Sequence, residues 1–192
     1  MNQKLVSLNA RNATIPGGSI PRMDTPQQLL NLLQKEMLFQ NWQKQHGKGY
    51  LTHFFCPISA QGELKSAWEI GYFTPSSQKM TIFVQLPQNG FEIKPEDDVF
   101  KKPDATIEAL EMNNVAVSYE AVLKLFLEKA PTEFPKEILG DGFIIIQTLQ
   151  KKTVWNFTFV TKALKFVNLK INAKDGKIAD KQIVELVDKS GK

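Results

Sequence analysis

The chain has 192 residues, 42% hydrophobic and 23% charged, enough apolar material for a core and too ordinary a charge content for a disordered polypeptide. The formal net charge of +4 comes from cations spread along the chain, with no run longer than Lys101-Lys102 or Lys151-Lys152, so no basic stripe for nucleic acid is present. A single cysteine, Cys56, excludes an intrachain disulfide framework, and no apolar stretch approaches the ~18 residues of a membrane span.

Residues 1–24 are polar, with a short apolar patch (Leu5, Val6, Leu8) and the turn former Pro16-Gly17-Gly18, and read as an extended N-terminal arm. They lack the apolar centre of a signal peptide. With Met1 as the natural start the expected compartment is the cytoplasm; with a leader removed it is extracytoplasmic. Thr25-Pro26-Gln27-Gln28 is a strong helix start, with Thr25 as cap, Pro26 in the first helical position and Gln28 completing a capping box. Leu29, Leu30, Leu33, Met37 and Leu38 follow at helical spacing, which predicts one helix to about Lys44, ended by Gly47 and Gly49.

Three strands are then predicted. Leu51 to Ser59 is rich in aromatic and β-branched residues; Ala67 to Thr74 alternates through Trp68, Ile70 and Tyr72; Lys79 to Leu86 alternates through Met80, Ile82, Val84 and Leu86. Pro75-Ser76-Ser77 turns between the last two, and Asn89-Gly90 closes the unit. Residues 92–103 read as a polar linker bracketed by Pro95 and Pro103. Asp104 then caps a predicted short helix, ATIEALEM, and Ser118 a second, YEAVLKLFLEKA, whose apolar face is Tyr119, Val122, Phe126 and Ala130 and which Pro131 and Pro135 stop. Three more strands end the chain: Phe143 to Gln150, Thr153 to Thr161, and Leu164 to Ala173.

The order helix, strand, strand, strand thus occurs twice, and the second copy overlays the first. Trp68, Ile70 and Tyr72 match Trp155, Phe157 and Phe159, and Met80, Ile82, Val84 and Leu86 match Val167, Leu169, Ile171 and Ala173, all at one constant offset. The apolar set of each hairpin is expected to pack on its helix. Thr81, Phe83 and Gln85, like Asn168, Lys170 and Asn172, are expected on the other face.

The stretch TVWNFTFV…ALKFVNLKINAKDGKI resembles the end of a PepSY-type domain, where a Trp-bearing strand leads into one ending in an Ile-Asp-Ala-Lys-Thr-Gly-like signature. Here the signature stands as Ile171-Asn172-Ala173-Lys174-Asp175-Gly176-Lys177-Ile178, with Asn172 in place of the common acidic residue. PDATIEALEM, residues 103–112, resembles the helix start of such domains, and SAWEIGYFTPSSQKMTIFV has the same Trp strand, turn and strand. Residues 113–140 form a long insertion relative to the pattern. The resemblance implies small cystatin-like modules that inhibit peptidases or bind in the cell envelope.

The expected architecture is therefore α+β: two tandem α-β-β-β cystatin-like repeats whose antiparallel sheets pack on helices. It divides as residues 1–24 (arm), 25–91 (first repeat), 92–103 (linker) and 104–192 (second repeat with a helical insertion).

Catalytic residue types are scarce. His46 sits in a Gly/Lys-rich loop and reads as a solvated turn residue. His53 and Cys56 are three apart on one strand and so point to opposite faces, which argues against a metal or Cys-His pair. Glu96-Asp97-Asp98 is a contiguous run without converging partners, and Pro16-Gly17-Gly18 lacks the strand before and the Lys-Ser/Thr after that a phosphate loop needs. Trp42, Trp68 and Trp155 read as packing residues. No catalytic residue, metal or cofactor is expected.

Binding is the expected function, with a protein or peptide partner such as a peptidase, through the sheet face or an exposed edge strand. Phe83, Phe54 and Phe73 are the candidate contacts. Two other readings stand beside it: a small-ligand protein or enzyme of the nuclear-transport-factor-like cone fold, which calls for a polar-lined cavity between helix and sheet, and a secretion or assembly chaperone, which calls for a dimer with an apolar groove.

Overall fold

A computed structural model describes residues 25–94, 97–98 and 106–185. The N-terminal arm, the Asp104 cap and Glu96 lie outside the described residues. Those described form an α+β fold in which three α-helices pack on one antiparallel sheet of nine strands.

The Thr25 box forms as the sequence requires: Thr25 Oγ1 accepts from Gln28 N–H at 3.3 Å, and Gln28 Oε1 accepts from Thr25 N–H at 2.8 Å. The single predicted helix is instead two, α1 (Pro26–Leu33) and α2 (Met37–His46), broken where Glu36 turns extended. The break resets the helical phase. A continuous helix would bury Met37; the observed one leaves Met37 70% exposed and buries Phe39 and Trp42. His46 is the last residue of α2, with its ring stacked on Trp42, rather than a free loop residue.

The chain then makes β1 (Tyr50–Ile58), β2 (Glu69–Thr74), β3 (Lys79–Gln85) and β4 (Phe91–Ile93) as consecutive antiparallel neighbours, and the two-residue β5 (Asp97–Asp98) pairs with the start of β3. Part of the predicted linker is therefore strand, held by its pairing with β3. The helix predicted over ATIEALEM is absent: residues 106–111 are non-helical, and only Met112–Asn114 makes a short 3₁₀ turn. This segment is a strap whose Leu110 N–H bonds the Leu51 carbonyl at 2.8 Å and whose Leu110 side chain enters the core. Tertiary burial here overrides helix propensity.

Ser118 caps α3 (Tyr119–Glu133), which continues through Pro131 into its last turn. β6 (Leu139–Leu149), β7 (Lys152–Thr161), β8 (Lys165–Asn172) and β9 (Ile178–Glu185) complete the sheet, in the order β4-β3-β2-β1-β6-β7-β8-β9. β1 and β6 meet antiparallel at its centre, so the sheet is continuous.

All three helices lie on one face. Phe39 and Trp42 of α2 make edge contacts with Tyr72 and Phe83, while Phe126 of α3 stacks on Phe157 and Phe159 at 4.4 and 5.0 Å. Trp68 and Trp155, 6.4 Å apart, join the two groups beneath Tyr119. Trp42 Nε1–H donates to Thr81 Oγ1 and Trp155 Nε1–H to the Val117 carbonyl, so both indoles are satisfied where they are buried.

One expectation about facing is corrected. In β8, Val167, Leu169 and Ile171 face the helices as read from sequence, but in β3 the helix-facing residues are Thr81 and Phe83, not Met80, Ile82 and Val84. Cross-strand partners share a face, and Thr81 is opposite Tyr72 where Val167 is opposite Phe159. The β2–β3 connection, Pro75–Gln78, is one residue longer than the β7–β8 connection, Lys162–Leu164. That single residue moves every side chain of β3 to the other face relative to the constant-offset overlay.

Candidate binding surface on the uncovered sheet face

Among the described residues, no helix covers the second face of the sheet. The core cluster that holds the helices draws its strand residues from the first face, and Phe73 and Val154, buried on the second, lie outside it.

The strand register lays out the uncovered face in rows. One row runs Glu92, Val84, Glu69, Phe55, Ile145, Asn156, Lys170, Asp180 across the whole sheet. The next runs Ile82, Gly71, His53, Gln147, Val154, Asn172. A third runs Pro57, Phe143, Thr158, Asn168, Gln182. From β3 to β6 these rows are mainly apolar, and Ile82, Val84, Phe55, Pro57, Phe143 and Ile145 are each half-buried. From β7 to β9 they are mainly polar.

Phe55 and Phe143 form the centre of the apolar part, with ring centroids 5.5 Å apart. The polar part is built on Asn168, whose side-chain N–H groups donate to Asn156 Oδ1 at 2.5 Å and Thr158 Oγ1 at 2.7 Å. Asn168 Oδ1 is buried without a hydrogen bond. Ion pairs stand on both sides: Lys94–Glu69 and Lys170–Asp180, each at 2.5 Å. Lys170 holds the Asp180 carboxyl below its ordinary pKa.

A bulge in β1 between Leu51 and His53 brings Thr52 and His53 to this face together. Thr52 Oγ1 lies 3.0 Å from the Gly71 carbonyl and 2.8 Å from His53 Nδ1, so the hydroxyl bridges the imidazole to the β2 backbone. The imidazole lies over Gly71, where any Cβ would overlap it. Burial pushes the His53 pKa down, against a smaller upward pull from Glu69. Cys56 is on the opposite face, fully buried, with Sγ 3.2 Å from the Ser66 carbonyl and its pKa raised by burial. No group of three or more His, Cys, Asp or Glu side chains suited to a metal occurs among the described residues.

Of the three aromatic residues singled out in the sequence, Phe54 and Phe83 are fully buried under the helices, and Phe73 lies on the uncovered face against Tyr50, 5% exposed. Phe55, Phe143 and Ile145 were missed. Phe54 and Phe55 are adjacent, so one must face away from the other; and the unbroken run Phe143-Ile144-Ile145-Ile146 is apolar on both faces, a signal that the second face is not simply solvated.

Two concavities lie elsewhere. An open cavity of about 340 Å³ sits between α1, α2 and the strap, lined by Gln34, Gln43, Tyr72, Glu111 and Asn113 beside apolar groups. Burial pushes the Tyr72 hydroxyl up to about 12. A shallow groove runs along the solvent side of α3 over Tyr119, Leu123 and Leu127.

No family model matches the sequence, and no curated protein matches it. The crystal structure of "a putative lipoprotein" from Clostridium difficile 630 is similar at 10% identity, covering 76% of this chain and 90% of that one, with a TM-score of 0.45. Among the described residues no helix is long and apolar enough to cross a membrane.

Proposed function

We propose that the chain is a non-enzymatic, PepSY-like binding protein built of two tandem cystatin-like repeats, and that it holds a peptide or protein partner on the apolar part of its uncovered sheet face. The carrying observation is the half-buried set Phe55, Pro57, Phe143 and Ile145 on β1 and β6, continued beyond Glu69 and Gly71 of β2 by Val84 and Ile82 of β3, on a face that no helix covers. A monomeric protein that leaves a contiguous aromatic patch rimmed by charged and amide groups has the composition of an interaction surface. The Asn156–Asn168 ladder forms the amide part of that rim, and the Glu69–Lys94 ion pair sets a charged group between Val84 and Phe55. The repeat reading is supported by the like order of elements on either side of the β1–β6 contact and by the placement of Trp68 and Trp155 under one helix.

Panning a random-peptide display library against the intact chain, with a Phe55→Lys/Phe143→Lys double variant as counter-target, tests the surface. Peptides that bind the parent and not the variant are the expected result; enrichment equal on both, or none, removes the face as a binding site. The 340 Å³ cavity with its Gln34, Gln43, Tyr72 and Asn113 groups favours a second reading, a small polar ligand held between helix and sheet. A thermal-shift screen of small polar compounds that raises Tm in the parent and not in Gln43→Leu would turn the assignment that way.

A further inference from the structure

The two edges of the sheet are finished differently. The β3 edge is covered by the three-residue β4 and the two-residue β5. The other edge is β9, eight residues long, with every residue but Asp180 exposed and no strand on its far side among the described residues. Ile183 and Val184 are 49% and 52% exposed. β9 contains no proline, and its one register irregularity is at its start, opposite Lys170 and Ile171. Lys181, the cation that would guard such an edge, is turned onto Glu133 of α3 at 2.6 Å. An exposed edge of this length and regularity is a template for pairing.

We propose that β9 pairs antiparallel with β9 of a second copy about a two-fold axis through Ile183, joining the two sheets into one. The register follows from charge. Centred on Ile183, each Lys181 stands directly opposite Glu185 of the copy, on the helix-side face, and the two isoleucines meet between these ion pairs. Centring on Lys181 sets two lysines against each other, and centring on Asp180 sets two carboxylates against each other. Centring on Gln182 leaves Lys181 opposite Ile183 and Asp180 opposite Val184. The apolar patch around Phe55 and Phe143 stays uncovered in the pair, since it lies near β1 and β6, away from this edge. A single strand edge is a small interface, below about 1,200 Å² in total, so the dimer is weak and concentration-dependent.

Sedimentation velocity on the intact chain over a concentration series reaching the high-micromolar range tests this. The expected result is a shift from monomer to dimer that Glu185→Lys weakens at least about tenfold, by setting like charges opposite in both contacts. Lys181→Glu is made in a Glu133→Gln background, with Glu133→Gln alone as its control, and is expected to weaken it equally. Mixing the two charge-reversed proteins is expected to restore a dimer, because each then offers the charge the other lacks. A monomer at every concentration, a dimer insensitive to Glu185→Lys, or no restoration on mixing would each overturn the proposal. Phe55→Lys/Phe143→Lys is expected to dimerise normally, which separates this surface from the peptide-binding face.

Discussion

The two halves of the sheet, β1 to β4 and β6 to β9, run in the same order yet differ on both faces. Under the helices, the first half sets Phe39 and Trp42 edge to face on Tyr72 and Phe83, while the second stacks Phe126 almost parallel on Phe157 and Phe159. On the uncovered side the first half shows Ile82, Val84 and Phe55, an apolar set that continues across the seam into Phe143 and Ile145 of β6, while the rest of the second half, β7 to β9, shows Asn156, Asn168 and Lys170. The difference traces to the turn length between two strands. In the second half a shorter connection puts Val167, Leu169 and Ile171 inside and the amides outside, in clean alternation. In the first half one extra residue puts Phe83 inside and leaves Met80, Ile82 and Val84 outside, so β3 is apolar on both faces. The candidate binding patch is in part a product of that extra residue.

The largest expected effect tests this facing directly. Phe83 is fully buried among three aromatic rings, and Phe83→Ala is expected to destabilise the fold by about 3–5 kcal/mol. Ile82→Ala, one residue away on the half-buried face, is expected to cost about 1 kcal/mol. Urea denaturation of both variants checks the order. Equal losses, or a larger loss at Ile82, would restore the constant-offset overlay and remove the contrast between the halves.

What could be read from the sequence, and what could not, divides along similar physical lines. The Thr25 and Ser118 caps, the three Trp anchors and six of the strands follow from local chemistry and period, and they appear close to where periodicity put them. β9 was missed because IADKQIVE has no alternation: an edge strand with solvent on both sides needs no apolar face, and its pairing is set by the turn at Asp175-Gly176 and by β8. That turn was legible. Asn172 Oδ1 accepts from Lys174 N–H at 2.8 Å, and Gly176 takes φ 72°. The facing of β3 was not, since Met80, Ile82 and Val84 alternate as well as any core strand and only the connection length decides between the two faces. For the same reason the sequence selected Phe83 and Phe54 as contacts and passed over Phe55 and Phe143.

A smaller effect is expected at the β1 bulge between Leu51 and His53. Gly71→Ala places a methyl group in the volume of the His53 ring and is expected to cost about 1–3 kcal/mol. In the double variant with His53→Ala much of that loss is expected to return, a coupling that a double-mutant cycle reads. The same site gives a pH signature. Burial depresses the His53 pKa from 6.5, with Glu69 pulling it upward and Lys94 paired to Glu69. The unfolded chain therefore takes up the proton first as pH falls, so stability contributed by the neutral ring is complete above about 6.5 and declines below it, until the folded-state pKa is passed. His53→Gln is expected to flatten the decline between neutral pH and that lower limit. A variant that loses stability as steeply as the parent would assign the pH dependence to other groups.

The smallest expected effect lies at the ion pairs that rim the two halves. Lys170–Asp180 and Lys94–Glu69 have the same 2.5 Å separation, and in both one partner is more exposed than the other: 20% against 41% in the first, and 44% against 20% in the second. Pairs this open to water gain little, so Lys170→Met is expected to change stability by at most about 1 kcal/mol, and Lys94→Met by no more. Their value to the comparison lies in salt dependence. Lys170 pairs across strands within an amide-rich surface, whereas Lys94 reaches Glu69 between Val84 and Phe55 in the apolar patch, where an occupant would exclude water and strengthen the pair. If the apolar rows from β3 to β6 are the binding surface, Lys94→Met is expected to weaken peptide capture and Lys170→Met to leave it unchanged, although the two are alike in the free protein. Equal loss of capture in both variants would mean that the amide half is part of the same surface, and the division between the halves would then be one of packing and not of function.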